Sequence, residues 1–250
     1  MIIIKSMDEI LKMKEAGLIL ANVHKEIAKL IEPGISTMKI EEFVEGYLEK
    51  HGATPEQKGY HGYPYATCAS INDEICHGFP RKEPLKNGDI VTIDMVVNLD
   101  GHLADSAWSY GVGTLTDKAE DLLNITKESL YVGIEKAAIG NRIGDISHAI
   151  QSYVEPKGYS VVRDFVGHGI GKSMHEDPQV PHFGNPGRGP RLTEGMVITI
   201  EPMINAGTFR MKIDDNEWTA RTVDGNLSAQ FEHTLAITKD GPMILTDQDD

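Results

Sequence analysis

Asp89-Ile90-Val91-Thr92-Ile93-Asp94-Met95-Val96-Val97-Asn98-Leu99-Asp100-Gly101 is the stretch on which the reading of the whole chain turns. Its β-branched residues predict a strand over residues 89–99. Asp100-Gly101 is a strong two-residue hairpin signal, and it returns the chain as a second strand over residues 102–110. With that loop Val96 stands opposite Asp105, so Asp94 and Asp105 fall on the same sheet face as diagonal neighbours. Such neighbours lie roughly 7–8 Å apart, which suits two carboxylates reaching towards shared ions. A lone acid in a strand more often points to solvent, so Asp94 and Asp105 gain weight only in company.

The company is Glu201, in Thr199-Ile200-Glu201-Pro202, and Glu232, in Gln230-Phe231-Glu232-His233. Both are predicted to lie inside core-like strands, over residues 196–204 and 227–238. Acids are rarely buried unless paired or bound to a cation, and the strands carrying Asp94, Glu201 and Glu232 contain no Lys or Arg. His168, in Gly167-His168-Gly169-Ile170-Gly171, is placed in a flexible turn, and His175 and His77 sit in further constrained segments. Gln179 stands where a second histidine would make a zincin helix, and the glycine-rich turn lacks the Gly-Lys-Ser/Thr ending of a phosphate loop. His24 and His148 read as structural or solvated, and His233 alternates away from Glu232. One imidazole among four carboxylates favours Mn, Fe or Co over a closed structural zinc site.

Working outward, helices are expected over residues 6–31, 37–51, 117–138 and 145–155. Further strands are expected over 66–71, 160–166 and 217–222, with Asp224-Gly225 as a turn. Gly34, Ile40, Tyr47, Glu49 and Gly52 recur in register as Gly140, Ile146, Tyr153, Glu155 and Gly158. That weak repeat predicts an α+β fold of two pseudosymmetric halves, roughly residues 1–112 and 113–250. Antiparallel strands lie centrally and helices outside, in a single domain. The net charge of −14 and the absence of a Lys/Arg patch argue against a nucleic-acid surface. Two cysteines without CxxC spacing suit a reducing compartment. With no apolar run of membrane length, the expected location is the cytoplasm, away from any membrane.

The series Asp94, Asp105, His168, Glu201 and Glu232 resembles the metal site of the pita-bread metallopeptidases. More closely, the chain resembles the type I methionine aminopeptidases from end to end. The segments that carry this are Cys68 to Asn72, Cys76-His77-Gly78, Gly88 to Val91 with Asp94, the His168 turn, and His175 with Pro178-Gln179-Val180. Thr199 to Pro202 and Ser228 to Thr234 complete the set. Too few residues separate Glu201 from Glu232 for the insertion of type II relatives, and there is no room for the leading domain of prolidase-like ones.

The resemblance implies removal of the initiator methionine from nascent proteins with a small second residue, by an aminopeptidase holding two divalent ions (Mn, Fe, Co or Zn). It implies that Asp105 and Glu232 bridge the ions, that Asp94 completes one, and that His168 with Glu201 completes the other. Glu201 becomes the proton acceptor, His175 the oxyanion stabiliser, and His77 a residue that orients the peptide or assists the leaving amine. Tyr60, Tyr63, Cys68, Met174 and Trp218 match the methionine pocket, although Met174 stands where many relatives have Phe. The implied enzyme is a monomer whose partners are the peptide substrate and, as a candidate, the ribosome. The competing readings are an Xaa-Pro peptidase with the same ligands and a non-catalytic peptide-binding relative.

Overall fold

The computed structural model describes residues 1–249; residue 250, the last of the expected domain, lies outside the described residues. The first half runs through helices α1 (Met7–Leu30) and α2 (Thr37–Lys50) to strands β1 (Thr54–Pro55), β2 (Cys68–Ile71), β3 (Glu74–Cys76), β4 (Ile90–Leu99) and β5 (His102–Gly111). Helices α3 (Asp117–Ile134) and α4 (Ile143–Val154) follow, then β6 (Ser160–Val161), β7 (Gly167–Gly169), β8 (Glu176–Val180) and β9 (Val197–Ile200). The chain closes with β10 (Met203–Asn205), β11 (Met211–Ile213), β12 (Ala220–Thr222), β13 (Ser228–Gln230), β14 (His233–Thr238) and β15 (Gly241–Ile244).

The helices begin where their caps dictate. Ser6 and Glu9 form a reciprocal capping box on α1. Ser36 accepts from the Lys39 amide at α2, and Thr116 accepts from the Ala119 amide at α3. Asp145 reaches back to the Arg142 amide at 2.7 Å, so α4 starts two residues earlier than expected. Buried residues of α1 and α2 (Leu20, Val23, Ile40, Val44) pack on Val91, Ile93, Met95 and Val97 of β4. A second cluster joins Leu122 and Leu130 of α3 and Ile146 and Ile150 of α4 to Ile198, Ile200 and Leu235. The outer helices and inner strands thus match the expected α+β class.

The hairpin register is the one its turn requires. Asp100 and Gly101 have φ of 50° and 78°, and the ladder pairs Leu99 with His102 and Val96 with Asp105. Odd-numbered residues from Val91 to Val97 therefore enter the helical core, and Asp94 faces the other way. A one-residue slip would expel Ile93 and Met95, forfeiting roughly 1.5–3 kcal/mol each, and push Asp94 into hydrocarbon.

The second half departs from the expected long strands at two points. Residues 201–202 interrupt one and residues 231–232 the other, leaving β9 and β10, β13 and β14 as separate pieces. Ile200 pairs with His233 and Met203 pairs with Gln230, so the two interruptions face each other. Pro202 has no amide to give a ladder, and the chain moves here from a five-stranded sheet (β15-β14-β9-β7-β8) to a three-stranded one (β13-β10-β6). Hence Glu201 and Glu232 occupy paired breaks, not strand interiors. Two other expected strands are shorter than their sequences suggested: β6 covers only Ser160–Val161 and β12 only Ala220–Thr222.

The halves are stitched where β5 meets β13 and β14. The Glu232 amide donates to Ala107 O at 2.9 Å, and the Ser106 hydroxyl donates to Glu232 O at 2.8 Å. Thr234 accepts from the Asp105 amide at 2.9 Å and donates back to Asp105 O at 2.8 Å. These bonds bring the hairpin acid and the break acid to the same place.

Candidate metal centre

The expected acids and imidazole converge. Asp105, His168 and Glu232 are all buried, and one donor atom from each lies within 4.8 Å of the others. His168 Nε2 is 3.6 Å from both Asp105 Oδ2 and Glu201 Oε1. The Asp94 carboxyl acts on that of Asp105, and the Glu201 carboxyl on that of Glu232. His168 lies on the short strand β7, a more ordered position than the turn expected for it.

This arrangement is costly without cations. Burial pushes Asp94 up to about 7 and Glu201 up to about 8. Burial and then the neighbouring carboxylates push Asp105 and Glu232 well above the usual range. Asp105 Oδ1 and Glu232 Oε1 are buried with no hydrogen-bond partner. His168 is held neutral by burial, at about 4, and its Nδ1 lies 2.9 Å from the Gly169 carbonyl. A proton on Nδ1 donated to that carbonyl leaves the Nε2 lone pair aimed at the carboxylates, the disposition of a metal-bound imidazole. Orphaned carboxylate oxygens, a lone pair directed among them and an oxygen-rich donor set together fit divalent cations.

The acids open into a cleft of about 180 Å³. All the expected pocket residues line it: Tyr60, Tyr63, Cys68, His77, Met174, His175 and Trp218. No lysine or arginine is among its described lining residues, so no side-chain cation offsets the acids. Tyr63 and Trp218 meet edge to face at 5.0 Å, and His77 meets Phe165 at 5.1 Å. His175 sits towards the opening with its ring 4.4 Å from that of His168, and the Tyr60 hydroxyl is 2.9 Å from His175 Nδ1. Burial lowers His77 to about 4 and also lowers His175, so both are neutral at neutral pH. The histidines set aside from the sequence lie elsewhere. His24 is bound to Tyr110 Oη, His148 is exposed, and His233 is bound to Thr246 Oγ1.

Four site residues escaped the sequence reading. Gln230 Nε2 donates to Glu201 Oε2 at 3.4 Å; its place two residues before Glu232, on one face of the strand expected there, was a usable signal. Phe165 and Gln57 line the cleft, and Gln57 Oε1 accepts from the Val96 amide at 2.7 Å. His182 is fully buried, and its Nε2 accepts from the Glu201 amide at 3.1 Å, replacing the ladder bond lost at the break. Nothing local to Pro181-His182-Phe183 announces that partnership, which is made only by the tertiary fold.

Comparison with known proteins agrees with this geometry. The profile of metallopeptidase family M24 matches residues 11–239. A methionine aminopeptidase of Clostridium perfringens is 52% identical over 246 residues, covering 98% of this chain and 99% of that protein. Methionine aminopeptidase 1 of Bacillus subtilis is 50% identical over 246 residues, with the same coverage of 98% and 99%. The crystal structure of methionine aminopeptidase from Rickettsia prowazekii superposes with a TM-score of 0.97 at 42% identity, covering 99% of this chain and 100% of that one.

Proposed function

The chain belongs to metallopeptidase family M24, and from that premise we propose that it removes the N-terminal methionine from peptides and nascent proteins whose second residue is small. The observation that carries this reading is the junction of a crowded acid cluster with a cleft lined by sulfur and aromatic side chains.

In this reading Asp94, Asp105, His168, Glu201 and Glu232 would together hold two divalent ions. The donor set suits Mn, Fe or Co, with Zn also admissible. When bound, the ions supply Lewis acidity that makes water nucleophilic at neutral pH. Glu201, steadied by Thr199 Oγ1 at 2.7 Å, accepts the proton that the nucleophile loses. With the Tyr60 hydroxyl donating to His175 Nδ1, the ring hydrogen lies on Nε2, available to the developing oxyanion. Neutral His77 orients the peptide and assists the leaving amine. The soft thioether of methionine lies against Tyr60, Tyr63, Cys68, Met174 and Trp218. A free amino terminus is drawn to the acid cluster, which makes the reaction exopeptidic.

The chain acts as one catalytic domain of two pseudosymmetric halves, roughly residues 1–112 and 113–250, each supplying helices and metal-binding acids. Among the described residues no helix is long and apolar enough to cross a membrane. We place the enzyme in the cytoplasm as a monomer meeting peptides that emerge from the ribosome.

Chelation should abolish cleavage of Met-Ala-Ser, and Mn, Co or Fe should restore it, as followed by release of free methionine. Activity that survives metal removal would reject the metal reading, and preference for an Xaa-Pro peptide would reject the substrate.

A further inference from the structure

We propose that Lys5 is a positioning residue for the active site, fixing the loop that carries Met174 and His175 through a buried ion pair with Glu176. This rests on the role given to His175 above. Lys5 Nζ lies 2.5 Å from Glu176 Oε2, and both side chains are only 6% exposed. Glu176 lies beside His175, and its other oxygen accepts the amides of Lys172 at 3.2 Å and Ser173 at 3.4 Å. One carboxylate therefore closes the turn leading into Met174 and His175 while being held from outside by an ammonium group.

Lys5 is itself anchored to the sheet. Its amide donates to Gly195 O at 2.8 Å, and the Gly195 amide donates to Ile237 O of β14 at 2.9 Å. Its ammonium also donates to Ile3 O at 3.1 Å. Two glycines let the arm seat this closely. A Cβ on Gly171 would lie 2.6 Å from Lys5 Cε, and one on Gly195, where φ is +84°, would lie 2.6 Å from Lys5 O. A continuous path thus runs from β14 through Gly195 and Lys5 to Glu176, the chain neighbour of His175, whose ring lies 4.4 Å from that of His168.

The test is a double-mutant cycle in the metal-loaded full chain, with kcat and KM measured on Met-Ala-Ser at a temperature where circular dichroism shows each variant folded. Lys5→Met should lower kcat about tenfold to a hundredfold, the range for small misplacement of a reacting group. In a His175→Ala background the same substitution should change kcat less than about twofold, because the group it positions is already gone. Glu176→Gln keeps an acceptor for the Lys172 and Ser173 amides and runs the same cycle should Lys5→Met fail to fold. A merely structural pair would move the melting temperature and leave kcat alone. Unchanged kcat in the folded variant, or an equal loss in both backgrounds, overturns the proposal. If wild-type enzyme fails to cleave Met-Ala-Ser, or His175→Ala alone costs nothing, the fault lies in the functional reading instead.

Discussion

Glu41 and Glu232 are both buried glutamates, 4% and 1% exposed, and the protein treats them in opposite ways. Glu41, on α2, accepts from the Ala66 amide at 2.7 Å, the Thr67 amide at 2.9 Å and the Thr67 hydroxyl at 2.6 Å. Burial still raises its pKa, but these three donors pull it back. Glu232 has an oxygen with no partner at all, and burial is reinforced by Asp105, Glu201 and Asp94. The first carboxylate is solvated by peptide groups and pins the loop entering β2. The second is left wanting a cation. A buried acid marks chemistry when the fold withholds its partners, and marks architecture when the fold supplies them.

That contrast can be broken most sharply at Glu232. Glu232→Gln should cut kcat/KM by about 10³-fold, equivalent to several kcal/mol of lost transition-state stabilisation. The melting temperature of the metal-free protein should hold or rise, since a neutral amide replaces a carboxyl that burial and its neighbours disfavour in the charged form. Near wild-type turnover, or a marked fall in metal-free stability, would erase the distinction. Glu41→Ala should do the reverse. Three buried donors lose their acceptor, costing about 3 kcal/mol in urea denaturation, while kcat at low temperature falls less than tenfold. A larger catalytic than structural effect would make Glu41 part of the chemistry.

The remaining test concerns pH. In the metal-free protein Asp94 and Glu201 hold protons up to about 7 and about 8, against ordinary values of 3.8 and 4.5. Between those limits the folded state binds more protons than the unfolded state, so rising pH erodes metal-free stability. Metal displaces those protons, so the stability gap between loaded and metal-free protein should widen from pH 5.5 to pH 8. About 1.4 kcal/mol per pH unit is expected for each proton displaced. Paired thermal melts across that range would show it, and a constant gap would mean the acids were already ionised.

What the sequence disclosed follows from the range of its signals. The Asp100-Gly101 turn and the period-two alternation of β4 are local, so they fixed the shared face of Asp94 and Asp105 before any tertiary contact was known. Caps such as Ser6, Ser36 and Thr116 are equally local, and three helix starts fell within a residue of expectation. The interruptions at Glu201 and Phe231 were hidden because the flanking residues are apolar and β-branched enough to read as unbroken strands. Pro202 was the visible clue. His182, Gln57 and the Lys5 to Glu176 contact depend on residues remote in the chain, and no spacing rule reports them.

The facing breaks in the second half also constrain what the chain can tolerate. Two parallel gaps in neighbouring ladders form a crease, and an unbroken pair of strands would be a flatter, better-bonded alternative. Pro202 keeps that zipper from closing, because it brings no hydrogen to the seam. Sheet regularity is sacrificed along one line so that two glutamates can fold out of it together.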